Sequence, residues 1–267
     1  MSFAIAGKSA IVTGAANGVG LAIARHFVER GANVIFADTD EDRLQKELGD
    51  VEDEKGTARY FVGDLRERLT IANLISATLD AYERVDILVN AARVMAPTDP
   101  LSGDDDSMRD LLNANLLTAH RMTQAAARRM IAQQGEDGSG PAGSVINISS
   151  IAARRTMPEL LAYSVSSAAL DQLTRSMAVA LAPSRIRVNA IALGSVMSAS
   201  LQGALKQHEA FREQIIEGTP LARIASAAEL GEVAQFLASD GSGFMTGQIL
   251  TVDGGRTLVD ATEAPVH

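Results

Sequence analysis

The chain has no cysteine. That excludes disulfides, thiolate metal sites and a cysteine nucleophile, and it fits a reducing, cytoplasmic compartment. Its four histidines, His26, His120, His208 and His267, are scattered without ligand spacing, so no metal site is expected. Basic residues are not in excess either: 24 Lys and Arg stand against 33 Asp and Glu. The net charge of −9 disfavours nucleic acid and anionic membrane surfaces as partners. No apolar run approaches the roughly 18 residues of a membrane-spanning helix. The opening residues, 1–8, lack the basic region and long apolar core of a signal peptide, so a cytoplasmic location is expected. No linker or internal repeat divides the 267 residues, and one domain over 1–267 is expected, long enough to bury a large core. A hydrophobic content of 46% with 21% charged residues argues against extensive disorder.

What is present is an alternation. Short apolar runs at 9–13, 33–37, 58–62, 85–90, 144–148, 187–191 and 248–252 read as buried strands. Helical patterns separate them, at 21–30, 66–82, 102 to about 134, 163 to about 182, and 200–218. This predicts an α/β fold: a doubly wound, parallel, seven-stranded sheet with helices on both faces. Residues 49–57 and 133–143 read as loops, and 256–267 as an irregular tail.

Two stretches carry chemistry. After the first strand, Gly14-Ala15-Ala16-Asn17-Gly18-Val19-Gly20 leads into a helix. Glycines there permit a tight turn and close backbone approach, and the helix amino terminus offers free N–H groups to a diphosphate. The second strand ends in Asp38, about 20 residues further on, where a carboxylate accepts bonds from ribose hydroxyls. It would repel a 2′-phosphate, and neither the glycine loop nor position 39 holds a cation to offset it, so NAD is favoured over NADP. The alternative is that Asp38, with Asp40, caps the next helix. In the second stretch, 143–169, a strand ends at Ser149 and Ser150 and a helix begins near Tyr163. A hydroxyl at a strand end beside a phenol at a helix start suits proton transfer to a carbonyl oxygen.

Ser150, with Tyr163 thirteen residues later, resembles the Ser…Tyr-x-x-x-Lys pattern of the short-chain dehydrogenase/reductase family. The resemblance runs over about residues 6–256. It implies that Tyr163 exchanges a proton with the substrate oxygen while hydride moves to or from NAD. It implies further that Ser150 orients the carbonyl, and that Asn115 holds a water of the proton relay. Cofactor contacts are implied for Gly14, Asn17, Gly18, Val19, Gly20, Asp38, Asp64, Leu65, Asn90, Ala91, Tyr163 and Ser198. Asp64 would meet the adenine edge, though it reads equally as a helix N-cap. The substrate would be a small alcohol or carbonyl under the 200–218 segment. The small-residue helix from 163 would pack across the interface of a homo-oligomer, a dimer or tetramer.

Three departures from the family pattern stand out. The lysine position is Ser167; Asn-Asn-Ala-Gly becomes Asn90-Ala91-Ala92-Arg93; Pro-Gly becomes Leu193-Gly194, with Ser198 where the family has threonine. In the family the lysine holds the nicotinamide ribose and favours the ionised phenol, and Ser167 carries no charge. Three readings follow: a working oxidoreductase with another source of charge, a cofactor-binding pseudoenzyme with regulatory use, or a structural subunit. Arg93 either replaces the lysine, at the ribose or near the Tyr163 oxygen, or points to solvent or blocks the cofactor. Arg154 and Arg155, just after Ser150, either bind an anionic substrate group or are solvated.

Overall fold

Five consecutive uncharged residues, Ser9–Thr13, form β1 and are buried throughout, as a strand covered on both faces must be. In the computed structural model, which describes residues 3–49, 56–134, 141–208 and 210–260, every predicted strand forms. They are β1, β2 (Asn33–Asp38), β3 (Ala58–Val62), β4 (Ile87–Asn90), β5 (Gly143–Ser150), β6 (Ile186–Leu193) and, after two short strands β7 (Val196–Met197) and β8 (Ala225–Ser226), β9 (Ile249–Val252). The seven long ones make a single sheet ordered β3-β2-β1-β4-β5-β6-β9, parallel at every pairing. β7 and β8 form a separate parallel pair.

The helices are α1 (Gly18–Glu29), α2 (Glu41–Gly49), α3 (Arg68–Tyr82), α4 (Ser107–Leu111), α5 (Thr118–Ala132), α6 (Leu161–Leu181), α7 (Ala199–Gln207), α8 (Ala210–Glu217) and α9 (Ala227–Ala238). Period-two alternation divides the core. Val12, Phe36, Val89 and Ile146 pack with Ile23 and Phe27 of α1 and Leu230 and Leu237 of α9. Their sequence neighbours Ile11, Ile35, Leu88 and Val145 face the other way, onto Leu74 of α3 and Met122 and Met130 of α5. Both faces are thus covered, as a parallel sheet requires. Among the described residues no helix is long and apolar enough to cross a membrane.

Two expectations need correction. The helix predicted from 102 starts at Ser107, because the Asp105 carboxylate is spent on a turn, accepting from Asp99 N at 2.6 Å and Ser107 N at 2.7 Å. It is also not one α-helix: a π-helical turn, Leu112–Leu117, separates α4 from α5. β5 and β6 run longer than predicted, since eight residues of each pair in register. Residues 50–55 and 135–140 of the two expected loops, and 261–267 of the expected tail, lie outside the described residues; before that, Arg256–Leu258 forms a 3₁₀ turn.

Because all seven strands are parallel, their carboxyl ends share one edge. The strand order reverses between β1 and β4, and at such a switch point a crevice opens outside the strand ends. The Thr13 hydroxyl joins the two strands there, accepting from Ala91 N and Ala92 N, each at 3.0 Å.

Candidate active site

The glycine loop lies in this crevice. Gly14 has φ +66° and passes so close to the end of β4 that a Cβ on it would sit 2.7 Å from Ala92 Cα. Gly20 is tighter still: its Cβ would fall 2.1 Å from Gly14 O. Gly18, at φ +59°, faces Ser198, whose Cβ lies 3.5 Å from where a Gly18 Cβ would stand. Asn17 precedes α1 without a side-chain capping bond, so the backbone donors of the first turn, at Gly18, Val19 and Gly20, remain at the crevice. A loop with no room for side chains, open donors and a helix amino terminus fits a dinucleotide diphosphate.

Asp38 reaches the same loop. Its Oδ2 accepts from Ala16 N at 3.0 Å, and its Oδ1 from Thr39 N at 2.7 Å and Asp40 N at 3.2 Å. Asp40, not Asp38, accepts from Arg43 N in the first turn of α2, at 3.1 Å. Asp38 therefore ties β2 to the glycine loop. Asp64 does not cap α3, whose N-cap is Glu67. It closes a turn by accepting from Arg66 N at 2.9 Å and pairs with the Arg66 guanidinium at 2.6 Å. That guanidinium holds the Asp64 carboxyl below the usual range. Leu65 is buried in the core.

At the ends of β4 and β5 lies a cavity of about 10 Å³, room for roughly one water, lined among others by Asn90, Arg93, Asn115, Tyr163 and Ser167. Tyr163, in the first turn of α6, is 4% exposed. Ser150 ends β5, its Oγ accepting from Ala152 N at 3.1 Å. Ser198 Oγ accepts from Leu201 N at 3.2 Å. Asn115 sits in the π-helical turn, and its side chain is spent on backbone: Oδ1 accepts from Val94 N at 2.7 Å, while Nδ2 donates to Val94 O at 2.8 Å and Ser166 Oγ at 3.2 Å. The side chain thus positions the segment following β4, which leaves only the Asn115 backbone to hold a water.

Arg93 neither points away from the site nor reaches a carboxylate. Nη1 donates to Ser149 O at 3.2 Å, and Cζ lies 5.6 Å from the centroid of the Tyr163 ring. Ser167 is buried below it and carries no charge. Of the arginines after Ser150, Arg155 donates to Thr257 O. Arg154 lies close enough to Asp171 to act on its carboxylate.

Sequence reasoning missed a polar ladder under the site. Asn90 Nδ2 donates to Asn147 Oδ1 at 2.8 Å and Thr123 Oγ1 at 3.2 Å; Asn147 Nδ2 donates to Thr174 Oγ1 at 2.9 Å. The two threonine hydroxyls donate to Ala119 O and Leu170 O, so they can only accept from the asparagines. This fixes both amides and leaves Asn90 Oδ1 buried without a partner among the described residues. Ser149 and Asp171 form a second such pair, at 2.6 Å. The available signal was a polar residue within an otherwise apolar strand, as at Asn147 and Ser149.

Residues 14–257 match the family model described as enoyl-(acyl carrier protein) reductase. An uncharacterized oxidoreductase of Mycobacterium tuberculosis (strain CDC 1551 / Oshkosh) is 34% identical over 256 residues, covering 96% of this chain and 94% of the relative. The crystal structure of a gluconate 5-dehydrogenase from Burkholderia cenocepacia J2315, in complex with NADP and tartrate, is similar at 32% identity and a TM-score of 0.85, over 97% of this chain and 98% of that one. A 7α-hydroxysteroid dehydrogenase, complexed with NADH and 7-oxo glycochenodeoxycholic acid, is 28% identical with a TM-score of 0.87, over 95% of this chain and 96% of that one. Sequence and fold agree along nearly the whole length: the chain belongs to the short-chain dehydrogenase/reductase family of NAD(P)-dependent oxidoreductases.

Proposed function

We propose that this protein interconverts an alcohol and a carbonyl, with Tyr163 as acid and base and Ser150 orienting the carbonyl oxygen. The observation that carries this reading is Tyr163 itself. Its phenol lines the cavity at the strand ends, and its hydroxyl makes no hydrogen bond to the protein among the described residues. A phenol O–H that opens onto a cavity and has no protein partner is free to meet a substrate oxygen.

In the reducing direction, Tyr163 gives its phenolic proton to the carbonyl oxygen as negative charge develops there; in oxidation it takes the alcohol proton. Ser150 donates to the same oxygen and fixes its direction. The bound dinucleotide supplies the hydride in reduction and receives it in oxidation. Gly14, Asn17, Gly18, Val19 and Gly20 would cradle its diphosphate, and Ser198 would face its nicotinamide end. Asp64, the Leu65 backbone, Asn90 and Ala91 would complete the groove. Asp38 would take the adenosine ribose and favour NAD over NADP, because its carboxylate repels a 2′-phosphate. We place the reaction in a cytoplasmic homo-oligomer.

Tyr163→Phe tests the assignment: turnover over a panel of small carbonyls with NADH should fall below detection, while NADH binding by calorimetry stays within about threefold. Retained turnover would remove Tyr163 as the acid. A second reading, a cofactor-binding protein with little turnover, is favoured by buried, uncharged Ser167. It requires NADH binding with no turnover on any member of the panel, and restoration by Ser167→Lys.

A further inference from the structure

Arg93 is the one charged residue lining the cavity beside Tyr163. A guanidinium carries five N–H donors in a planar fork. Among the described residues Arg93 makes one bond to the protein, from Nη1 to Ser149 O, and one face is covered by the Tyr163 ring. No carboxylate among the described residues pairs with it. What sets Arg93 apart from the other arginines is its place, on the lining of the cavity that Tyr163 shares. Its two anchors belong to the reacting centre, since Ser149 precedes Ser150 and the ring is that of Tyr163. They hold one edge and one face of the guanidinium, and the side chain is otherwise exposed, its remaining donors open to an incoming group.

We propose that Arg93 is the receptor for a substrate carboxylate, and that the substrates are hydroxy and oxo acids whose carboxylate lies close to the reacting carbon. A fork of parallel N–H groups matches the two oxygens of a carboxylate, and this pairing gives direction as well as affinity. The charge also draws anions into a cleft on an otherwise acidic molecule. A carboxylate seated on Arg93 brings a neighbouring carbonyl to the Tyr163 hydroxyl, so one contact selects and orients. The inference rests on Tyr163 as the proton donor. Arg155 is engaged by Thr257 O and Arg154 faces Asp171, so the anion-binding role anticipated for that pair passes to Arg93.

The test compares 2-oxo and 3-oxo acids with their methyl esters, using NADH, in the wild type, Arg93→Met and Arg93→Lys. In the wild type the acids should have the lower KM. Arg93→Met should raise KM for the acid by roughly 10- to 100-fold, with the ester changed far less, and Arg93→Lys should recover part of the loss. A second arm needs no turnover: malonate, added to the NADH-loaded protein, should raise the melting temperature of the wild type and of Tyr163→Phe, but not of Arg93→Met. Malonate protection that survives Arg93→Met overturns the proposal, as do esters equal to acids in the wild type. A fall in kcat on acids and esters alike, with KM unmoved, also overturns it, because the guanidinium would then serve the reacting oxygen. If malonate binds through Arg93 while nothing is reduced, the anion site stands and the reaction assignment fails.

Discussion

Behind the serine strand sits a buried carboxylate. Asp171 of α6 is 4% exposed and accepts from Ser149 Oγ at 2.6 Å. Burial pushes its carboxyl above the ordinary value; the Ser149 hydrogen bond and the charges of Arg154 and Arg175 pull the other way and do not prevail. A carboxyl raised in the folded state holds its proton more tightly there than in the unfolded chain. Its contribution is therefore fully present below the unfolded pKa, near 4, and is lost as pH rises through the folded one. Asp171→Asn keeps the acceptor for Ser149 and removes the titration. The melting temperature of the variant, relative to wild type, should climb as pH rises from about 4 to 7. A difference independent of pH would show that Asp171 is paid no desolvation cost. At the same scale, Asp38→Asn should narrow the preference for NADH over NADPH, measured as the ratio of their dissociation constants. An unchanged ratio would take Asp38 away from the ribose.

Among the elements, the turn between β1 and α1 is fixed by contacts that leave no space for a methyl group. Gly20→Ala places a carbon against Gly14 O, a backbone atom that cannot turn aside. Overpacking of this kind costs about 1–3 kcal/mol, and here it also opens the dinucleotide cradle. Denaturant unfolding and NADH calorimetry should both register the change. Gly49→Ala is the control, since open space surrounds that position at the end of α2; it should stabilise, by about 0.5–1 kcal/mol. The π-helical turn carries a contact made only in the fold. Asn115 satisfies both backbone groups of Val94, so Asn115→Leu leaves a part-buried donor and acceptor unmet and should cost about 1–2 kcal/mol. If the variant unfolds at the wild-type denaturant midpoint, the turn does not depend on that side chain.

For the molecule as a whole, the question is what covers its apolar surface. Leu161, Val165 and Val179 follow one stripe along α6 and are all exposed, Val179 at 78%, and Phe244 is fully exposed. Residues 161, 165 and 179 share a helix face at the 3.6-residue period. Exposed apolar stripes of this kind mark interfaces between chains. Sedimentation velocity at micromolar concentration should show a dimer or tetramer, and Val179→Glu should shift it toward monomer with an unchanged circular dichroism spectrum. A monomeric wild type would end that reading.

The sequence by itself determined the sheet, the tight glycine turn after β1, and a strand ending at Ser150 ahead of the helix that carries Tyr163. Each depends on chain-local physics: period-two burial for the strands, glycine where a side chain has no room, and a fixed spacing from strand end to helix start. Helix continuity through 112–117 was not legible, because Asn115 is drawn aside by Val94, on a segment it meets only in the fold. The ladder of Asn90, Asn147, Thr123 and Thr174 was equally hidden, since its members come from two strands and two helices. Arg93 is the sharpest case. The sequence showed a cation gained where the family pattern has glycine, but a long side chain takes its direction from its neighbours. Only the tertiary structure, which sets Ser149 and Tyr163 beside the end of β4, decided that the exposed side chain turns its guanidinium onto the Tyr163 ring.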